Sequence, residues 1–284
     1  MANTISTKTY RDKYRSNALE TALRVGLVAE AVCSVDRSDS KTIQSPYQTA
    51  PTTVVQALAG TYTPADFTIT DDTLTVADEF IVAEHIFDFQ ESLTRFDLFA
   101  ARTDDMTYSV MASIDSYVIN AITEDATGAY TTPAGGFTTA ANINVIMSNL
   151  ISKVAGYADT YKGLFLVIEN TDVPGFVQAQ ATNGFSFADA ALNNGWMSSY
   201  MGVDIYVSRA GLFTDATVGT RTWTNDGHRV FGVKDIATYA APRGINFEEK
   251  SVTGKTGMEV VVFGYIGAKV WTPKAGLLVD ITLA

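Results

Sequence analysis

Two histidines, one cysteine and a few adjoining carboxylates are the residues of this 284-residue chain whose types could do chemistry. Cys33 would need a neighbouring base to act as a nucleophile, but His85 and His228 stand in unrelated contexts. It reads instead as a small buried apolar side chain. Two separate histidines and one cysteine also fall short of the usual zinc sets. Gly254-Lys255-Thr256 ends like a phosphate-binding loop, yet Glu249 stands where that motif needs its first glycine. The segment also reads as a turn between strands, whereas the motif must open a helix. No Gly-x-Gly occurs, which removes the dinucleotide fingerprint. Gly184-Phe185-Ser186-Phe187-Ala188 lacks the second glycine of a nucleophile elbow. Carboxylates adjoin at Asp71–Asp72, Asp104–Asp105 and Glu248–Glu249. Catalytic carboxylates face each other across a pocket, whereas neighbours on a loop or helix surface are mostly solvated. Asn225-Asp226-Gly227-His228 is a turn in which Asp226 and His228 supply too few ligands for a metal. The expectation is a chain with no catalytic residue, cofactor or metal, a building material rather than an enzyme.

What positions such a chain is its surface. Only 18% of the residues are charged, against about 25% in typical soluble domains. Cores of protein interfaces are depleted in Lys, Glu and Asp, so this poverty points to extensive self-association. The longest apolar run, MEVVVFGYIGAKVW from Met258, contains Glu259 and Lys269 and is shorter than the ~20 residues of a membrane span. The N-terminus has no apolar signal region, and the lone Cys33 forms no internal disulfide, so assembly in a reducing cytoplasm is unobstructed. A net charge of −11 repels nucleic-acid phosphates, which excludes a dedicated DNA or RNA binder.

The charge is unevenly placed. Residues 1–24 hold five basic and two acidic side chains, a net of +3, while residues 42–94 hold eight acidic and no basic ones. Pairing between copies would set Arg11, Arg15 and Arg24 against Asp66, Asp71, Asp72, Asp78 and Glu79. Two independently solvated faces are the alternative.

Periodicity orders the elements. Leu19, Leu23 and Leu27 recur at helical spacing within residues 13–32, and Asp36–Ser40 supply polar turn residues that end that helix. Prolines at 46, 51 and 64 exclude a long helix over the next segment. Leu74, Val76, Phe80 and Val82 then alternate as a strand with one sheltered face. Residues 41–90 read as a two-stranded excursion with its tip near 62–72, which needs something to lie on. Residues 97–125 lack Pro and Gly and predict a spine helix of roughly 25 residues, about 38 Å long. After a loop at 128–136, a helix over 139–157 presents Ile143, Ile146, Met147, Leu150 and Val154 on one face. GLFLVIEN at 163–170 is a buried strand, and a short helix capped by Thr171 or Asp172 follows. Strands follow at 203–209 and 228–236, then a hairpin from Ile245 whose turn carries Lys255. The class is α+β with interleaved segments.

That order resembles the major capsid proteins of tailed double-stranded DNA bacteriophages, the Hong Kong 97-type fold. DEFIVAEHIFDFQ resembles the returning limb of the family's extended loop. NGWMSSYMGVDIYVSRAGL resembles a passage of its axial domain, and KDIATYAAP with FGYIGAKVWTPKAGLLV its closing segments. The resemblance implies an N-arm at 1–40 and an extended loop at 41–90. It implies a peripheral domain at 91–135 with 243–268, and an axial domain at 136–242 with 269–284. The turn bearing Lys255 would stand at contacts between capsomers, and axial loops near 183–194 and 215–226 would line capsomer centres. Hexamers and pentamers of the one chain would close an icosahedral shell around double-stranded DNA, touched weakly and non-specifically. A separate scaffolding protein and a portal are implied partners, with assembly in the host bacterial cytoplasm and the virion as destination. No membrane is implied. Some relatives crosslink a lysine of the extended loop to an asparagine; residues 42–94 contain no lysine, so no such crosslink is expected. An encapsulin, a cellular compartment of the same fold, is the nearest alternative. An enzyme without a recognisable motif is the alternative of a different class.

Overall fold

The computed structural model describes residues 28–48, 50, 51, 53, 55, 60, 66–86, 98–182, 196–251 and 256–284. The described residues begin with α1 (Ala29–Val32), β1 (Ser34–Asp36), β2 (Thr42–Gln48), β3 (Ile69–Thr75) and β4 (Asp78–Ile86). There follow α2 (Leu98–Glu124), β5 (Gly128–Thr131), α3 (Ala140–Val154), β6 (Leu164–Glu169) and α4 (Val173–Thr182). Next come β7 (Trp196–Tyr200), β8 (Val203–Ser208), β9 (Asp215–Val218), β10 (Arg221–Thr224) and β11 (His228–Val233). The last are β12 (Ala237–Ala240), β13 (Ile245–Ser251), β14 (Met258–Val270) and β15 (Leu278–Thr282).

The larger sheet is mixed, with strand order β5-β15-β11-β6-β8-β7. Every residue of β6 is buried, which is why its first five, Leu164 to Ile168, are an unbroken apolar run. One cover is α3, whose Ile143, Ile146, Met147, Leu150 and Val154 are fully buried, the face its spacing predicts. Burying each such side chain contributes about 1.5–3 kcal/mol, so this stripe locates the helix. On α4, Phe176 stacks on Phe137 at 5.6 Å and meets Tyr200 edge-on at 6.0 Å. Gly175 permits that approach, because a Cβ there would stand 1.9 Å from the Phe137 carbonyl oxygen. Gly175→Ala should therefore cost about 1–3 kcal/mol through overpacking. The expected readout is a lower denaturant midpoint with an unchanged m-value.

The smaller sheet has the path β1-β12-β14-β13, with β4 also paired to β14. The 27-residue helix α2, about 40 Å long, spans both sheets. Its first half buries Met106 and Val110 against Ile86, Val260 and Val262. Its second half carries Val118, Ile119 and Ile122 into the main core with the larger sheet. The long helix is thus the element that joins two sheets.

Three expectations are corrected or completed. The excursion is two-stranded only over β2 and β3, paired from Thr42↔Thr75 to Gln48↔Ile69, so Asp71 and Asp72 lie in the returning strand and not at the tip. β4 leaves it and pairs along its whole length with β14, from Asp78↔Ile266 to Ile86↔Met258. Val82 and Ile86 need a cover that a lone hairpin lacks and α2 supplies. Secondly, the residues between the end of the predicted helix and the polar turn at Asp36–Ser40 form β1, which runs parallel to β12. Thirdly, the loop expected at 128–136 begins with β5, which pairs in parallel with β15 and so joins the larger sheet. Of the helix predicted at 13–32, only its end, α1, falls among the described residues, and Arg11, Arg15, Arg24 and Lys255 lie outside them.

Candidate assembly surface

Cys33 and His228 are both engaged within the subunit. Cys33 is buried beside α2, and desolvation, reinforced by the Asp115 carboxylate, pushes its thiol pKa far up. That is the inert structural cysteine its isolation predicts. His228 opens β11 and meets Asp280 on β15 (Nδ1–Oδ1, 2.7 Å) rather than Asp226. Burial raises the Asp280 pKa, and the His228 contact opposes that rise. Among the described residues no group of three His, Cys, Asp or Glu side chains could hold a metal. No described helix is long and apolar enough to cross a membrane.

The acidic segment is not one uniform surface. Asp66 and Asp71 are exposed, as is Glu79, the second residue of β4. Asp72 is buried: it forms an ion pair with Lys269 and accepts the Thr272 N–H at 2.8 Å. Lys269 also donates to the Thr73 carbonyl at 2.9 Å. Desolvation works against the Asp72 carboxylate, but the Lys269 and Thr272 hydrogen bonds outweigh it and hold its pKa below the ordinary value. Asp78 is buried too, accepting the Tyr117 hydroxyl at 2.5 Å, the Thr220 N–H at 2.7 Å and the Thr220 hydroxyl at 3.0 Å. Two of the five carboxylates that sequence alone assigns to contacts between copies, Asp72 and Asp78, are thus engaged within the subunit. Burying a carboxylate is costly without such partners, and nothing in the local sequence names partners so far along the chain.

These bonds weld the root of the β2–β3 hairpin to the body. Leu74, Val76 and Ala240 close a small core there with Ile43 and Trp271 packed on it. Gly267 lets the root pass, since a Cβ would lie 2.5 Å from the Thr75 carbonyl oxygen. Beyond the root the hairpin changes character. Val55 is 94% exposed, Phe67 73% and Ile69 61%. A two-stranded ribbon is marginal in water, and one that presents large apolar side chains beyond a rigid root is built to be covered.

A second uncovered surface lies on the face of the smaller sheet turned away from α2. Ile81 pairs with Phe263 and Glu79 with Tyr265 in the β4–β14 register. Phe263 and Tyr265 meet edge-on at 5.8 Å, while Ile81 and Tyr265 remain exposed.

An α2-like spine across two sheets, a projecting hairpin with a fixed root and an uncovered sheet face together make the α+β Hong Kong 97-type capsid fold. Three solved structures carry this architecture along nearly the whole chain. The capsid structure of cyanophage P-SCSP1u aligns with a TM-score of 0.75 at 14% identity, covering 100% of this chain and 97% of that one. Mycobacterium phage Che8 aligns at 0.74 and 16% identity, covering 99% and 98%. The capsid of an empty GTA particle aligns at 0.68 and 13% identity, covering 96% and 95%. No family model matches the chain. No curated protein matches it either.

Proposed function

We propose that this chain is the major capsid protein of a tailed double-stranded DNA bacteriophage, a structural subunit that assembles into an icosahedral shell. The observation that carries the reading is end-to-end similarity to phage capsid chains, 100% of this chain against 97% of the cyanophage one. The hairpin adds physical support, because its exposed Phe67 and Ile69 are costly for a subunit that stays alone. Shell-forming capsomers would be hexamers and pentamers, with residues 1–40 as N-arm and 41–90 as extended loop. The peripheral domain would take 91–135 with 243–268, and the axial domain 136–242 with 269–284. A separate scaffolding protein and a portal complete the proposed partners, with assembly in the host cytoplasm around weakly held DNA.

Electron microscopy of the purified chain, expressed with and without its neighbouring genes, tests this directly. Closed shells of uniform size are the expected result. A monomer at high concentration in every combination would refute it. The double variant Phe67→Ser/Ile69→Ser should keep the thermal unfolding of the wild-type subunit, because both side chains are exposed in it. Shell yield should nevertheless fall by about tenfold or more, since burying one such side chain between copies stabilises the shell by about 1.5–3 kcal/mol.

A further inference from the structure

The ribbon β9–β10 precedes β11 of the larger sheet, and its tip reaches the start of β4 in the smaller one. Gly219 leads the two-residue turn at φ 59°, a position where tight hairpins take glycine. The neighbour demands glycine as well, because a Cβ there would stand 2.1 Å from Asp78 Oδ1. Thr220, the second turn residue, gives Asp78 both its N–H and its hydroxyl, so the tip clasps one buried carboxylate. The ribbon is itself held fast. Arg221 donates from Nη2 to both oxygens of Asp125, at 2.7 and 2.9 Å, and from Nη1 to the Ala268 carbonyl at 3.1 Å. Trp223 is buried edge-on against Tyr117 at 5.5 Å, and Asn225 donates to the Asn120 carbonyl at 2.9 Å. Only Val76 and Ala77 separate the clasped Asp78 from the end of β3. The Val76 N–H donates to the Lys41 carbonyl at 2.8 Å, which carries the hairpin ladder to within two residues of the clasp. A hollow of about 580 Å³ borders this root, lined by Thr73 and Thr75 of the hairpin together with Thr220, Arg221 and Lys269. A two-stranded lever beside open space has room to tilt unless something holds it.

We propose that the tip of β9–β10 is a positioning device: Gly219 and Thr220, acting through Asp78, set the direction in which the β2–β3 hairpin leaves the subunit. The inference rests on the self-assembly reading, because direction matters to a hairpin that serves assembly. Small errors at the root grow along the lever. The seven residues of β2 span about 20 Å, so a tilt of about 15° displaces the far end by about 5 Å. Tyr117 bonds the same carboxylate, but from α2, and so offers a control that leaves the ribbon untouched.

Spin labels on Gln48→Cys, at the far end of β2, and Lys153→Cys, on the last turn of α3, measure that direction in the unassembled subunit by double electron–electron resonance. Both positions are exposed, while Cys33 is buried and stays unlabelled. The labelled chain without further change should give one narrow distance. Gly219→Ala should shift or broaden it by about 5 Å, as the tilted lever requires. Thr220→Val keeps the N–H bond and loses the hydroxyl, so it should do the same to a smaller extent, and it carries the test should Gly219→Ala not fold. Tyr117→Phe should leave the distance unchanged. Each variant with a displaced hairpin should give about tenfold fewer closed shells, the effect of ~1.4 kcal/mol at an assembly contact. A broad distribution before any substitution overturns the positioning role. So do unchanged distances in both ribbon variants, or an equal displacement in Tyr117→Phe, and all three results leave the assembly reading intact. A displaced hairpin with shells at the original yield overturns the link to assembly. A chain that forms no shells in any combination overturns the assembly reading itself, whatever the distances show.

Discussion

Arg229→Ala is expected to destabilise the subunit by about 3–5 kcal/mol, a large fraction of a typical domain's total stability. Arg229 is buried at the start of β11 and donates from Nε to Asp172 at 2.6 Å and from Nη2 to Glu169 at 3.2 Å. It also donates to the His228 carbonyl at 2.6 Å, and its guanidinium lies over the Phe213 ring at 5.4 Å. The two acids are committed elsewhere as well. Glu169 accepts the N–H groups of Gly211 and Phe213 at 3.0 and 3.3 Å, and Asp172 accepts the Glu169 N–H at 3.2 Å. Removing the cation leaves two carboxylates in a site with almost no water. The loss should therefore come from the orphaned charges more than from the missing attraction. Chemical unfolding of the unassembled subunit measures it. The triple variant Arg229→Met/Glu169→Gln/Asp172→Asn should recover a substantial part, since its amides are neutral and can still accept the backbone bonds. If the triple variant were no more stable than Arg229→Ala, the charge argument would be wrong and packing would be the cause.

The second large effect concerns Asp115, on the face of α2 towards α1. Its Oδ1 accepts the N–H groups of Val28 and Ala29 at 2.8 and 2.6 Å, which ties the start of the described chain to the spine. Desolvation is the dominant influence and raises the carboxyl pKa from 3.8 to about 6, although both hydrogen bonds and Arg209 oppose the rise. The folded state therefore holds the proton more tightly than the unfolded chain between about pH 4 and pH 6. Its stability contribution is fully present below the unfolded value and is lost as pH rises through about 6, at a cost on the order of 3 kcal/mol by about pH 7.5. Asp115→Asn keeps an acceptor for both N–H groups and carries no charge. At about pH 7.5 it should be more stable than wild type and lose this part of the pH dependence. Asp115→Ala leaves two buried donors unpaired and should be destabilised by about 1–3 kcal/mol for each. Equal melting temperatures for wild type and Asp115→Asn at that pH would contradict the burial argument.

Neither site announces itself in the sequence. Glu169 looks like the polar end of an apolar strand, and Asp172 like a helix cap. Arg229 joins them from 57 and 60 positions away. Asn120 is similar: helical spacing places it on α2, but its carboxamide donates to the Leu212 carbonyl at 2.8 Å and its Oδ1 accepts from Asn225 at 3.1 Å. Partnerships of this kind depend on which loops arrive at a helix. No local pattern encodes that arrival.

Much else is legible because it depends on short-range rules. The spine helix follows from an unbroken stretch without Pro or Gly, and the α3 stripe from its spacing alone. The buried strand β6 follows from its apolar run, and the absence of signature motifs from residue identity. The projecting segment is legible in outline, since prolines and strand-forming residues exclude a helix there. Tertiary structure decides where that segment stops being free. The alternation of β4 is that of any half-buried strand, and alternation does not say which neighbour supplies the cover. Charge counts likewise ignore burial, so the acidic run reads as one face, whereas the fold turns Asp72 and Asp78 inward to partners at Lys269, Thr272, Tyr117 and Thr220. The α+β class and the lack of familiar chemistry are thus in the sequence. Which surfaces remain free to meet another copy depends on pairings across the whole chain, and only the folded structure contains them.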